Sequence, residues 1–157
     1  MLESVQNFDS YAWASSLPRA PSSPQNIHNL STLCQSYKLG TLIYGQRVLD
    51  AVLGETTPQE DRINDLLEAI GALRNDPTLF KCILWPILVA GLECRGRAQR
   101  GVLVMCLEEF WEVTRCSNVI NAGKILQLFW REEERGKLVS SKWIFHICCL
   151  DQDWLLI

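Results

Sequence analysis

Along most of this chain apolar residues recur at every third or fourth position between well-marked stops, a pattern that helices satisfy and strands do not. From Asn29 onward, Leu30, Leu33, Cys34, Tyr37, Tyr44 and Val48 largely share one helical face, and Thr32 precedes Gln35 at capping-box spacing. Leu42, Ile43, Leu49, Val52 and Leu53 widen that stripe, which predicts a helix buried on more than one side, and Gly54 is its natural end. Thr57-Pro58-Gln59-Glu60 then offers a capping hydroxyl, a proline pre-set for the first turn and a returning carboxylate. Ile63, Leu66, Leu67, Ile70 and Leu73 follow at helical spacing. Asp76 and Pro77 cap and open a third helix through Phe80, Ile83, Leu84, Ile87 and Leu88, with a kink expected at the interior Pro86.

Beyond the turn at Arg95-Gly96-Arg97, a helix over residues 102–113 carries Val102, Met105, Leu107, Phe110 and Trp111. Ser117-Asn118 caps another through Ile120, Ile125, Leu126, Leu128 and Phe129, which runs into Glu132-Glu133-Glu134 and Gly136. A short apolar segment over 143–147 precedes the polar break Asp151-Gln152-Asp153 and a hydrophobic end. Ahead of all this, Pro18, Pro21 and Pro24 among serines predict a poorly ordered or extended lead-in over residues 1–27, with Tyr11 and Trp13 docking onto the body. No stretch alternates as a strand, nothing repeats at a fixed period, and no glycine-rich phosphate loop is present. The expectation is an all-α, irregular multi-helix bundle of five to seven helices occupying residues 28–157 as one domain of the 157.

Charge narrows the function. Lys and Arg number 15 against 18 Asp and Glu, a net charge of −3, whereas nucleic-acid binding relies on basic residues neutralising phosphates. Direct nucleic-acid binding by this chain is therefore not expected. The first residues, Met1-Leu2-Glu3-Ser4, lack the positive and apolar regions of a signal peptide. The most apolar stretch, residues 82–92, is interrupted by Pro86 and too short for a membrane span. A soluble, intracellular protein with no membrane association is expected, and its seven cysteines read as reduced thiols packed in the core.

Candidate sites are few. His146 with Cys148 and Cys149 offers at most three zinc ligands, with no motif supplying a fourth. No Cys–His or paired-carboxylate motif points to catalysis, so no catalytic, cofactor-binding or metal residues are assigned, no cofactor is expected, and ligand-binding residues stay unknown. Glu93 ends a strongly apolar helix and must be exposed or paired, since burying a lone carboxylate is costly. Arg95, Arg97 and Arg100 are its nearest candidate partners, in a structural ion pair or, on a sharper reading, an effector-sensing site. Glu108, Glu109 and Glu112, and the Glu132–Glu134 run with Arg131 and Arg135, read as solvated helix surface. A pocket between helices is expected beside Pro86 and Gly91.

Four motifs occur in order. Ser36-Tyr37-Lys38-Leu39-Gly40-Thr41-Leu42-Ile43-Tyr44 resembles a helix of the second fungal-specific transcription-factor domain family, with Gly40 where Ala is usual. Trp85-Pro86-Ile87-Leu88-Val89-Ala90-Gly91-Leu92-Glu93 is similar to the family's W-P-L-x-x-A-G-x-E signature. Asn118, Val119, Ala122, Leu126 and Trp130 resemble a later family helix, and Trp143 with the apolar tail resembles its C-terminal end. The resemblance implies an all-α regulatory domain of a transcription factor, a nuclear location and no enzymatic activity. Members usually carry an N-terminal zinc binuclear cluster that binds DNA; the first cysteine here is Cys34 and no such spacing occurs. The helical region of relatives is also longer, so the chain reads as the C-terminal half of such a domain, whether truncated product, fragment or separately encoded regulator. Two modes of action follow as expectations. One is a bundle whose packing is biased by a small apolar effector or a protein partner; the other is a helical scaffold or homo-oligomer with no small ligand.

Overall fold

Eight helices follow one another in the computed structural model, which describes residues 2–17, 23–137 and 142–144. They are α1 (Leu2–Gln6), α2 (Ser10–Ser16), α3 (Pro24–Leu53), α4 (Glu60–Leu73), α5 (Pro77–Phe80), α6 (Leu84–Glu93), α7 (Arg97–Thr114) and α8 (Ser117–Glu134). No strand occurs among the described residues. The all-α expectation holds, with one helix more than the upper count because short helices form where none was expected; six of the eight have at least seven residues.

The 30-residue α3 is the spine, about 45 Å long at 1.5 Å per residue. Ser36, Leu39, Gly40, Ile43, Arg47 and Asp50 recur three or four apart and form its buried stripe. Helices α4 and α6 pack on it from one side and α1 and α2 from another. The expected burial on more than one side holds along its middle, where Leu42 and Ile43 are buried, but Tyr44, Val48, Leu49, Val52 and Leu53 are exposed, Val52 to 77%. Trp143 lies against Tyr44, ring centres 5.9 Å apart, and α1 reaches the helix with Leu2 beside Gly45, which leaves the last turns of α3 the most open. Gly54 ends the helix as expected, in the left-handed region at φ 71°, its N–H returning to the Asp50 carbonyl.

Every residue of α6 from Pro86 to Glu93 is buried, since α3, α4, α7 and α8 surround it. A helix apolar on all sides suits that central place. The kink expected at Pro86 does not form. The chain leaves helix after Phe80 and restarts at Leu84, so Pro86 falls in a first turn, where its missing N–H has no intrahelical partner to lose. Ile43, Leu66, Ile70, Leu73, Ile83, Ile87, Leu92, Leu103, Leu126 and Phe129 are fully enclosed, each such side chain contributing roughly 1.5–3 kcal/mol through burial.

The lead-in also differs from expectation over its described residues. Asp9 accepts the N–H groups of Tyr11 (3.0 Å) and Ala12 (2.9 Å), which starts α2. Pro24 opens α3 as its first helical residue instead of blocking it, moving the start ahead of Asn29. Thr32 is accordingly inside the helix, bonding the His28 carbonyl and capping nothing. Docking of α2 uses small residues: Ser10 and Ala14 are buried, whereas Tyr11 and Trp13 are exposed.

Candidate functional site

Two places combine unusual chemistry with definite geometry: a buried charge cluster between α3 and α6, and a groove between α7 and α8. The cluster arises because the buried stripe of α3 changes from apolar to charged at Arg47 and Asp50, opposite the one carboxylate of α6. Arg47 grips Glu93 with two bonds, Nε to Oε1 and Nη2 to Oε2, both 2.7 Å. Its remaining Nη1 donates to Asp50 Oδ2 (2.8 Å) and to the Thr57 carbonyl (2.9 Å). Glu93 Oε1 also accepts the Trp143 indole N–H at 2.6 Å. Asp50 accepts from Gln46 Nε2 (2.9 Å), Thr57 Oγ1 (2.7 Å) and Thr57 N (2.9 Å).

Arg47, Asp50 and Glu93 are each at most 4% exposed, so these bonds replace the water the ions gave up. Burial alone would raise the Asp50 carboxyl. The bonds from Gln46, Thr57 and Arg47 outweigh it and hold the group at about 2, below the usual 3.8. Two carboxylates share one guanidinium, and hydrogen-bond donors satisfy the rest. With its donors and acceptors turned on one another, the cluster is built as a clamp between α3, α6 and Trp143, not as an acid–base pair. A small cavity of about 190 Å³ lies beside it, lined by Arg47, Gln59, Glu93, Arg95 and Gln99 among others.

Several expected pairings are corrected by this arrangement. Glu93 pairs with Arg47, 46 residues away, and not with Arg95, Arg97 or Arg100. Arg100 instead pairs with Glu133 and lies over the Trp130 ring, 5.3 Å from its centre. That tie makes Glu133 part of the packed structure, unlike the solvated run expected. Glu109 pairs with Arg74 while its side chain stays 44% exposed. Thr57 does not cap α4; it is drawn to Asp50, and α4 begins at Glu60 without a side-chain cap. Asp76 does cap α5, accepting from Thr78 N and Leu79 N. Cys94 and Cys106 are buried in the core as expected, but Cys82 is exposed. His146, Cys148 and Cys149 lie outside the described residues.

The pocket expected beside Pro86 and Gly91 is filled. A Cβ on Gly91 would meet the methyls of Leu126 at 2.6 Å, and the Gly91 carbonyl accepts the Trp130 indole N–H at 2.8 Å. Open space lies one layer outward, where α7 and α8 form an antiparallel hairpin joined by Arg115-Cys116, with Arg115 left-handed at φ 50°. The groove between them encloses about 550 Å³, within the range of small-molecule sites. Val104, Leu107 and Trp111 form one wall, and Val119, Ile120, Leu126 and Trp130 the other. Glu108 and Glu112 edge it on α7, Lys124 and Gln127 on α8. Gly123 keeps it open, since a Cβ there would have only Leu107 Cδ1 near, at 3.9 Å.

A model of the fungal specific transcription factor domain matches residues 5–157, and no other domain is found in the chain. The chain belongs to this family. It is a regulatory, non-enzymatic domain family. The resemblance noted from the motifs is thereby shown, and its residues meet in space. Tyr37 of the first motif stacks on Trp85 of the second, ring centres 5.7 Å apart and 15° from parallel. Gly40, where the family usually has Ala, faces the same indole: a Cβ there would lie 2.7 Å from Trp85. Glu93, last residue of the second motif, is the clamp's acceptor for both Arg47 and Trp143. No curated protein and no solved structure gives a significant match to this family member.

Proposed function

We propose that this chain is the effector- or partner-responsive regulatory domain of a fungal transcription-factor-like protein, with no DNA-binding domain detected in its 157 residues, and that the α7–α8 groove is its responsive surface. The observation that carries the reading is the groove itself: an apolar cleft lined by two tryptophans, inside a domain of a regulatory family. Trp130 ties it to the rest of the bundle. Its ring lines the groove while its N–H holds the Gly91 carbonyl, two residues before Glu93. An occupant that shifts Trp130 therefore acts on the end of α6 and on the clamp, which gives two helix packings a point of leverage. The net charge of −3 fits a chain that leaves DNA contact to another module. The family suggests action in the nucleus. No helix among the described residues is long and apolar enough to cross a membrane.

Thermal unfolding against a panel of small apolar metabolites tests this, comparing the wild type with Gly123→Trp, which fills the groove from its floor. A saturable rise in Tm that the variant abolishes supports an effector; a ligand at a hundred times its Kd adds about 2.7 kcal/mol. Flat curves with concentration-dependent association favour the second reading, a ligand-free interaction scaffold, for which the exposed Ile120 of the groove wall and the exposed Val102 and Met105 of α7 speak. Flat curves and a monomer at every concentration would remove the groove from the account.

A further inference from the structure

We propose that a second copy of this chain occupies the α7–α8 groove, two hairpins closing into a four-helix bundle about a two-fold axis parallel to the helices. The inference rests on the reading of the groove as the responsive surface and names its occupant. Its warrant is that the face complements itself. The two edges carry opposite charge, Glu108 and Glu112 on α7 and Lys124 on α8. Glu108 and Lys124 are exposed and take part in no ion pair among the described residues.

Height along the hairpin matters as much as sign. Glu108 lies seven residues before the connecting Arg115, and Lys124 eight residues after Cys116. At 1.5 Å per residue the two stand within about 2 Å of the same level. A two-fold axis along the helices keeps heights unchanged and lays α7 of one copy over α8 of the other, running antiparallel. Each Glu108 then faces the other copy's Lys124, and the contact occurs twice, as an isologous interface requires. Between these pairs Val104, Trp111 and Ile120 of the two copies meet across the cleft that Gly123 leaves open.

The size is adequate. Each helix has 18 residues, so the hairpin face is about 27 Å long and, with axes 8–10 Å apart, about 20 Å wide. Its projection is roughly 500 Å², and its relief brings the accessible area toward the roughly 800 Å² per partner of a stable interface. A foreign amphipathic helix would also fit an apolar groove. It has no reason, however, to find acid and base at one height on opposite edges, which pairing with a second copy explains.

Sedimentation velocity of the 157-residue chain from about 1 to 100 µM, with E108K, K124E and the double variant E108K/K124E, tests the proposal. Both sites are exposed, so circular dichroism should match the wild type, and urea midpoints taken at a dilution where sedimentation shows only monomer should match too, which separates loss of association from loss of fold. The wild type is expected to dimerise, more weakly as salt rises. Each single variant sets like charges together twice and weakens dimerisation roughly tenfold or more. Mixing the two single variants, or combining both changes in one chain, restores the opposite-charge pairing and the dimer. A wild type that stays monomeric to 100 µM overturns the proposal, as does a dimer indifferent to the single changes or not rescued by the combined ones. A monomer that still binds an apolar metabolite in a Gly123-dependent way would sink the dimer alone and leave the groove reading standing.

Discussion

Replacing Arg47 with Met removes the one cation of a cluster that holds two buried carboxylates. Glu93, 4% exposed, would keep only the Trp143 indole N–H, and Asp50 would keep Gln46 and Thr57. Breaking a buried pair from one side costs about 3–5 kcal/mol, because the charge left behind has neither water nor partner. Against a total stability of about 5–15 kcal/mol, that is a large share. With a urea m-value near 2 kcal/mol per molar, the midpoint should fall by roughly 2 M. Glu93→Leu, the change from the other side, should cost a similar amount by stranding the guanidinium. Together the two changes leave an apolar contact and only Asp50, still bonded by Gln46 and Thr57, so the double variant should recover at least about 2 kcal/mol relative to the sum of the singles. Urea unfolding followed by far-ultraviolet circular dichroism supplies all four corners of the cycle. Single changes costing under about 1 kcal/mol, or costs that simply add, would refute the view of the cluster as a clamp.

Three further outcomes follow from the same structure. Asp50 sits at about 2 when folded against an ordinary 3.8, so its contribution is complete above the ordinary value and is lost as pH falls toward 2. Asp50→Asn should remove on the order of 1–2 kcal/mol of the stability difference between pH 6 and pH 2.5, and an unchanged difference would count against it. Gly71 and Gly123 sit inside helices with room for a methyl, so Ala at either should raise stability by about 0.5–1 kcal/mol, whereas Gly91→Ala should lower it because Leu126 occupies the space. Burial pushes the Cys94 thiol up to about 12 while Cys82 is exposed. Peptide mass spectrometry after iodoacetamide at pH 8 should therefore find Cys82 modified and Cys94 protected until denaturant is added.

Helix identity and order were legible because the punctuation is local: Gly54 stops α3, Asp76-Pro77 starts α5, and Ile63, Leu66, Ile70 and Leu73 repeat on one face of α4. The family motifs were legible for a related reason, since their residues pack in pairs, Tyr37 on Trp85 and Trp130 on Gly91. Partnerships were not. Arg47 and Glu93 are 46 residues apart, and proximity in sequence pointed to Arg95, Arg97 and Arg100 instead. A signal was present: Arg47 and Asp50 continue the register of Ser36, Leu39 and Ile43, so a charge fell where the core stripe required burial. Pro24 and Pro86 misled in the same way, as residues that break a helix interior but suit a first turn. The groove had no local signature at all, because it is made by the absence of a side chain at Gly123 between two helices whose packing only the fold decides.

The most direct test of the groove as the responsive surface is a reporter assay with the chain fused to a heterologous DNA-binding module. Output from the wild type would be compared with Gly123→Trp and with Asp61→Trp, an equally bulky change at an exposed position of α4. The account predicts that filling the groove shifts output severalfold while the α4 control leaves it unchanged, at equal protein levels and equal helicity. Equal output from all three folded proteins would contradict it.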